Sequence, residues 1–185
     1  MDIREFLELR SSRLNADILA DKIEEDTDIF DVVWKVMLED SDPVSMRAAW
    51  SLVIFSKKHP YFIEPRIPDI VDILPRVKSA SVIRCLLNMI TLVPVPKNQS
   101  GFLFDYCFDI IESVSSDIAH KAYAMTILYN ISELEPDLKP ELIALFETKM
   151  EDDSSGICAR SQILTNKLYK DLGLPKRWSR DNLGN

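Results

Sequence analysis

Four stretches of this chain open a helix in the same way, at a nearly constant interval. The first is Asp42-Pro43-Val44-Ser45-Met46-Arg47-Ala48-Ala49-Trp50, and the second is Ser79-Ala80-Ser81-Val82-Ile83-Arg84-Cys85. The third is Ser115-Ser116-Asp117-Ile118-Ala119-His120-Lys121, and the last is Ser154-Ser155-Gly156-Ile157-Cys158-Ala159-Arg160. A basic residue recurs in each, at 47, 84, 121 and 160, so the intervals are 37, 37 and 39 residues. A period of that length holds one helical hairpin. A lone hairpin cannot bury its apolar face, so the copies must stack.

Hydrophobic periodicity agrees. Phe30, Val33, Trp34, Met37 and Leu38 follow the i, i+3, i+4 stripe of an amphipathic helix. Asp42 is placed to cap the next helix, with Pro43 in its first turn and Met46, Ala49, Trp50 and Val53 as its buried face. His59-Pro60 ends it, because a residue before proline avoids helical ψ. Ile67, Ile70 and Val71 pair in the same way with Val82, Leu86, Met89 and Ile90. Phe104, Cys107, Phe108 and Ile111 pair with Ile118, Ala122, Met125 and Ile131. Leu142, Leu145 and Phe146 pair with Ile157, Leu164 and Leu168. Ile3, Phe6 and Leu7, then Leu14 and Ile18, mark two shorter helices that cap the series.

The expected fold is therefore all-α, an α-α superhelix of about ten antiparallel helices with four degenerate hairpin repeats. The repeats fall roughly at residues 26–60, 61–96, 99–135 and 137–173. Residues 1–175 read as a single domain and 176–185 as a basic C-terminal tail. Pro94 to Gly101 is the clearest loop. Leu172-Gly173-Leu174-Pro175 closes the last helix.

The segment Asp42-Pro43 followed by Met46-Arg47-Ala48-Ala49-Trp50 resembles the HEAT repeat of the wider armadillo-like superfamily. That pattern is an Asp-Pro turn, then an apolar–Arg pair and small residues at the start of a second helix. The chain has one extra residue between Asp42-Pro43 and Arg47. Around Arg84 the Asp-Pro is missing, Lys121 replaces the arginine in the third copy, and the fourth copy is the most degenerate. The likeness spans roughly residues 26–172. The tetratricopeptide pattern fits worse, because its shorter period and its Trp-Leu-Gly-Tyr signature are absent. The resemblance implies a protein- or peptide-binding scaffold whose second helices line a concave face.

Composition narrows the function classes. Only four residues are glycine, and no Gly-x-Gly or Gly-Lys-Ser/Thr phosphate loop occurs. The net charge is −8, all of it in residues 1–42, which hold 13 acids against 5 bases. Such a balance argues against nucleic acid as the main ligand. Six bases after residue 159 are too few for a nucleic-acid tail. No basic-then-apolar leader opens the chain. The longest uncharged run is twelve residues, against roughly 20 needed to span a membrane. The expectation is a soluble, cytoplasmic protein. Cys85, Cys107 and Cys158 are widely spaced and read as small apolar residues rather than disulfide partners or metal ligands.

The candidate binding residues are the ladder Arg47, Arg84, Lys121 and Arg160, with Trp50 and Tyr123 beside it. The ladder has two readings. Such bases can pair with acids or cap carbonyls of a neighbouring repeat, or they can form a strip for an acidic peptide or phosphate groups. DNA glycosylases that resemble HEAT stacks supply an alternative of lower weight, since they need a strongly basic channel. Neither His59 nor His120 has a nucleophile elbow, a His-Glu-x-x-His or a Cys-x-x-Cys around it, so no catalytic residue, metal ligand or cofactor is expected. Glu24-Glu25 and Asp152-Asp153 are adjacent in sequence and point about 100° apart on a helix, which is unsuitable for an acid/base dyad. Trp178 fits no core stripe and reads either as docked on the last hairpin or as an exposed anchor.

Overall fold

A computed structural model describes residues 2–9, 12–39, 41–152 and 154–175, apart from the side chains of 151 and 152. Among the described residues there are ten α-helices and no strand. They are α1 (Ile3–Glu8), α2 (Arg13–Glu25), α3 (Asp28–Leu38), α4 (Val44–Lys58), α5 (Ile67–Ile73), α6 (Ala80–Ile90), α7 (Lys97–Glu112), α8 (Ile118–Ser132), α9 (Lys139–Asp152) and α10 (Ser155–Asp171). Contacts gather into two compact units, Met1–Pro94 and Val95–Asn185. The division falls inside the proline-rich segment Pro94-Val95-Pro96.

In the first unit α4 is the hub, packed against α2, α3 and α6. Its core side is Ala48, Ala49, Leu52, Val53 and Phe55. Small residues there let the neighbouring helices approach closely. Ring packing fills the space beyond. Phe30 lies 5.8 Å from Trp34 and 5.2 Å from Phe62, and Phe62 meets Phe55 edge-on at 5.0 Å. The Arg66 guanidinium covers the outer side, 5.9 Å from the Phe30 ring and 5.7 Å from that of Trp34, and pairs with Asp31.

In the second unit α8 packs against α7 and α10, and α9 pairs with α10. Its core is mostly aliphatic: Leu103, Cys107, Ile111, Ile127, Leu128, Leu142, Leu164 and Leu168, with Phe146 as its fully buried ring. The last helix ends as expected. Gly173 adopts φ +68°, Leu174 N–H donates to Tyr169 C=O at 2.8 Å, and Gly173 N–H donates to Lys170 C=O at 3.0 Å. This left-handed turn satisfies carbonyls that the helix would otherwise leave bare.

Several sequence expectations need correction. The segment 94–101 is not wholly loop, because α7 begins at Lys97 and its polar first turn faces solvent. Asp42 does not cap α4. Pro43 takes the cap position without a side-chain bond, and the Asp42 carboxylate instead accepts from Ser79 Oγ at 2.6 Å. Met46 and Trp50 are half-exposed, since the buried stripe is offset toward Ala48 and Leu52. In α2 the buried residues are Ala16, Leu19, Ala20 and Ile23, leaving Leu14 and Ile18 outside. Phe108 and Ile118 are also exposed, because Leu103 and Leu128 complete those faces. The side chains of Asp152 and Asp153, Trp178 and the basic tail lie outside the described residues.

Candidate functional site

The ladder residues are not displayed alike. In the first unit Arg47 leaves the first turn of α4 half-buried, and its Nη1 donates to the backbone C=O of Leu7 at 2.8 Å. Leu7 belongs to the last turn of α1, where carbonyls lack partners within the helix. The guanidinium therefore caps a short helix 40 residues upstream. Its buried Nε makes no hydrogen bond. Trp50, one turn further along α4, joins Arg47 around a crevice of about 10 Å³ closed by Phe6, Leu9 and Ser12. That volume holds about one water molecule, not a ligand. Arg84 is exposed on α6 beside Cys85, whose thiol burial pushes up to about 11.

In the second unit Lys121 is buried, at 8% exposure, and His120 beside it equally so. Arg160 and Tyr123 are half-buried. Within each unit, then, one ladder base is drawn inward: Arg47 onto a backbone carbonyl and Lys121 into the protein.

The acidity of the N-terminal segment is largely engaged. Lys58 Nζ lies 2.9 Å from Glu24 and 3.4 Å from Asp21. Arg4 meets Glu39 at 2.8 Å, and Arg13 meets Asp17 at 2.8 Å. The hydrogen bond from Lys58 holds the Glu24 carboxyl below its ordinary value, and the same bond raises the Lys58 ammonium. His59 caps the end of α4, its Nε2 3.4 Å from Glu24 Oε1.

Sequence reasoning named Trp50 as a binding candidate but missed other apolar side chains that the helices leave at least partly exposed nearby in the first unit. On α2, Leu14 and Ile18 lie one turn apart, with Leu14 67% exposed. The neighbouring α4 presents Met46, Trp50 and Ile54, also at one-turn spacing and half-exposed. The two helices pack side by side, and the tie from Lys58 to Asp21 and Glu24 aligns their C-terminal ends. Leu14 and Ile18 on α2, and Met46, Trp50 and Ile54 on α4, thus form two apolar rows left at least partly exposed, with Lys57 exposed on α4 and Arg84 on α6. The signal was present as Leu14-x-x-x-Ile18 out of phase with Ala16, Leu19, Ala20 and Ile23.

A second network lies in the other unit. Lys139, its side chain 9% exposed, reaches Glu133 at 2.5 Å and Asp171 at 3.1 Å. Tyr129 OH donates to Asp171 at 3.2 Å, and Lys167 sits 5.1 Å over the Tyr129 ring. The hydrogen bond from Lys139 to Glu133 raises the ammonium above its ordinary value. This cluster ties the start of α9 to the ends of α8 and α10. Among the described residues, no group of three or more His, Cys, Asp or Glu is placed to hold a metal ion. No helix among them is long and apolar enough to cross a membrane.

Among the described residues the regular structure is all helical, with α3–α4, α7–α8 and α9–α10 packed as successive pairs, and the marker bases recur at near-constant spacing, which together define a helical-repeat protein. The sequence matches the HEAT repeat domain over residues 3–167, and the chain belongs to that family. No curated protein and no solved structure matches it.

Proposed function

We propose that this protein is a non-enzymatic scaffold that binds a protein or peptide through the outward face of α2, α4 and α6. The observation that carries this reading is a pair of apolar rows left at least partly exposed on two packed helices, Leu14 and Ile18 on α2 and Trp50 and Ile54 on α4. Large side chains left in water at one-turn spacing on neighbouring helices suit apolar anchors of a partner. Exposed Lys57 on α4 and Arg84 on α6 favour a segment that carries acidic residues beside its apolar anchors. Arg47 supports these rows rather than the ligand, since its guanidinium is engaged by Leu7. The overall charge of −8 and the inward placement of Arg47 and Lys121 favour a protein ligand over a phosphate backbone. HEAT stacks are typically scaffolds, and this one is assigned no reaction.

The test is affinity capture from the native host with mass spectrometry. Wild type is compared with Leu14→Ser/Trp50→Ser, with Arg84→Glu, and with Asp72→Lys as a control on exposed α5 surface. Circular dichroism confirms folding of each variant. Partners lost from the first two and kept by the control support this face. An unchanged partner set in folded Leu14→Ser/Trp50→Ser rejects it.

A further inference from the structure

The first helix of the second unit carries its aromatic residues on the outside. Phe102 and Phe108 are 38% and 40% exposed, while Leu103, Cys107 and Ile111 supply the buried face of α7. The rings are ordered in pairs. Phe102 stacks on Tyr106 at 5.8 Å with planes 22° apart, and Phe104 stacks on Phe108 at 6.3 Å with planes 13° apart. At about 100° per residue, the two stacks stand on either side of a strip formed by Gly101, Asp105 and Asp109.

That strip is costly for the free protein. Asp105 and Asp109 are exposed, one turn apart, and neither has an ion pair among the described residues. Like charges at that spacing oppose helix formation. Glu112, the next acid along, is neutralised by Lys149 at 2.8 Å, which isolates the pair further. Gly101 adds a third anomaly. A Cβ built there meets nothing within 4 Å, and its φ is not left-handed, so neither space nor backbone requires glycine. A glycine inside a helix weakens it, yet it lets another chain approach the backbone closely.

We propose that this face of α7 docks an arginine-bearing segment of a partner protein. A guanidinium is flat enough to lie against the aromatic stacks and carries the paired donors that a carboxylate accepts, whereas an ammonium offers only a point charge. Asp105 and Asp109 supply the carboxylates, Phe102 and Phe108 the walls, and Gly101 the gap through which the partner's backbone comes near. This surface belongs to a different unit and a different helix from the apolar rows on α2 and α4. It takes the opposite charge, so either surface can fail without the other.

The experiment uses the full chain and two synthetic probes: a fluorescein-labelled peptide of alternating Arg and Gly, and its Lys analogue. Anisotropy is read at low and at physiological salt. The arginine probe should bind several-fold more tightly than the lysine probe at both. Asp105→Asn/Asp109→Asn should weaken it by about tenfold or more, as expected for loss of two charge-assisted contacts. Gly101→Ala should raise the melting temperature and still weaken binding, a combination that a purely structural glycine would not give. No binding, equal binding of the two probes, or an unaltered affinity in folded Asp105→Asn/Asp109→Asn overturns the proposal. Binding seen only after deletion of residues 176–185 also overturns it, because the occupant is then the chain's own Lys176-Arg177-Trp178-Ser179-Arg180 rather than a partner.

Discussion

The two units use one repeat plan but place their main ring clusters differently. In the first, Phe30, Trp34, Phe55 and Phe62 meet in the interior, and ion pairs fasten one repeat to the next on the surface. In the second, Phe102, Tyr106 and Phe108 line the outside of α7, the interior is aliphatic, and a shielded lysine joins three helix ends. The difference teaches that periodic spacing sets where helices begin, while the bulk of individual side chains decides which face turns inward. In the first unit the ring cluster of Phe30, Trp34, Phe55 and Phe62 serves cohesion while Trp50 stays half-exposed; in the second, Phe146 is the one fully buried phenylalanine among the described residues, and the stacks on α7 are left with outer faces.

The sharpest way to break the comparison is to delete one ring from each unit. Phe55→Ala should cost about 3–5 kcal/mol, the usual range for a large ring removed from a packed interior. Phe108→Ala should stay within about 0.5 kcal/mol, as exposed positions do. Urea unfolding measures both, and comparable losses would show that the outer rings are core after all.

Next in size is the shielded lysine. Lys139→Met should destabilise by about 1–3 kcal/mol, because Asp171 and Glu133 lose a charged donor in a partly enclosed site. Lys58→Met, the exposed counterpart in the first unit, should cost less, since solvent screens its pairs. The reverse order would show that the surface ties are the stronger fastening.

Acid sharpens the contrast further. The Glu24 carboxyl is held below its ordinary value of 4.5 by the hydrogen bond from Lys58. A depressed carboxyl stabilises the fold above that ordinary value, and the gain is lost as pH falls through the folded value. The difference in melting temperature between wild type and Lys58→Met should therefore be constant above 4.5 and close below it. A difference that persists undiminished in acid would remove the pair from the account.

The smallest effect concerns the thiols. Burial pushes the Cys85 thiol up to about 11 and raises that of Cys107 as well, whereas Cys158 is half-exposed. At about pH 8 a thiol reagent should label Cys158 first in the native protein, because thiolate fraction and access govern the rate. Equal labelling of Cys85 and Cys158 would show that burial does not shield the Cys85 thiol in the native protein.

How much of this could be read from the chain depended on which residues formed each face. In α6 the buried residues Val82, Leu86, Met89 and Ile90 are all bulky, so periodicity found them. In α2 the inward face includes Ala16 and Ala20, and the larger Leu14 and Ile18 drew attention to the wrong side. Trp50 was misjudged for a related reason: its neighbours Ala48 and Ala49 fill the interior, because tight helix contact needs small side chains. Carbonyl capping was one of the two readings of the ladder, but the particular acceptor of Arg47 was not legible. A backbone carbonyl has no side-chain identity, so nothing in the letters around Leu7 announces an acceptor. Of the stacks on α7, Phe104 and Phe108 were placed on the core stripe, because spacing alone cannot tell a wall from a surface, and Phe102 and Tyr106 were not singled out.

The hydrogen bond from Arg47 to Leu7 also sets an order of events while the chain is being made. A helix of six residues, such as α1, has no stability of its own in water. Its docking place on α4, and the arginine that caps it, lie 40 residues later in the chain. At roughly 5–20 residues per second of synthesis, the first helix waits about 2–8 seconds before anything exists to hold it. The helix α1 thus settles well after it is made, and throughout that interval its apolar side chains stand open to whatever meets the nascent chain.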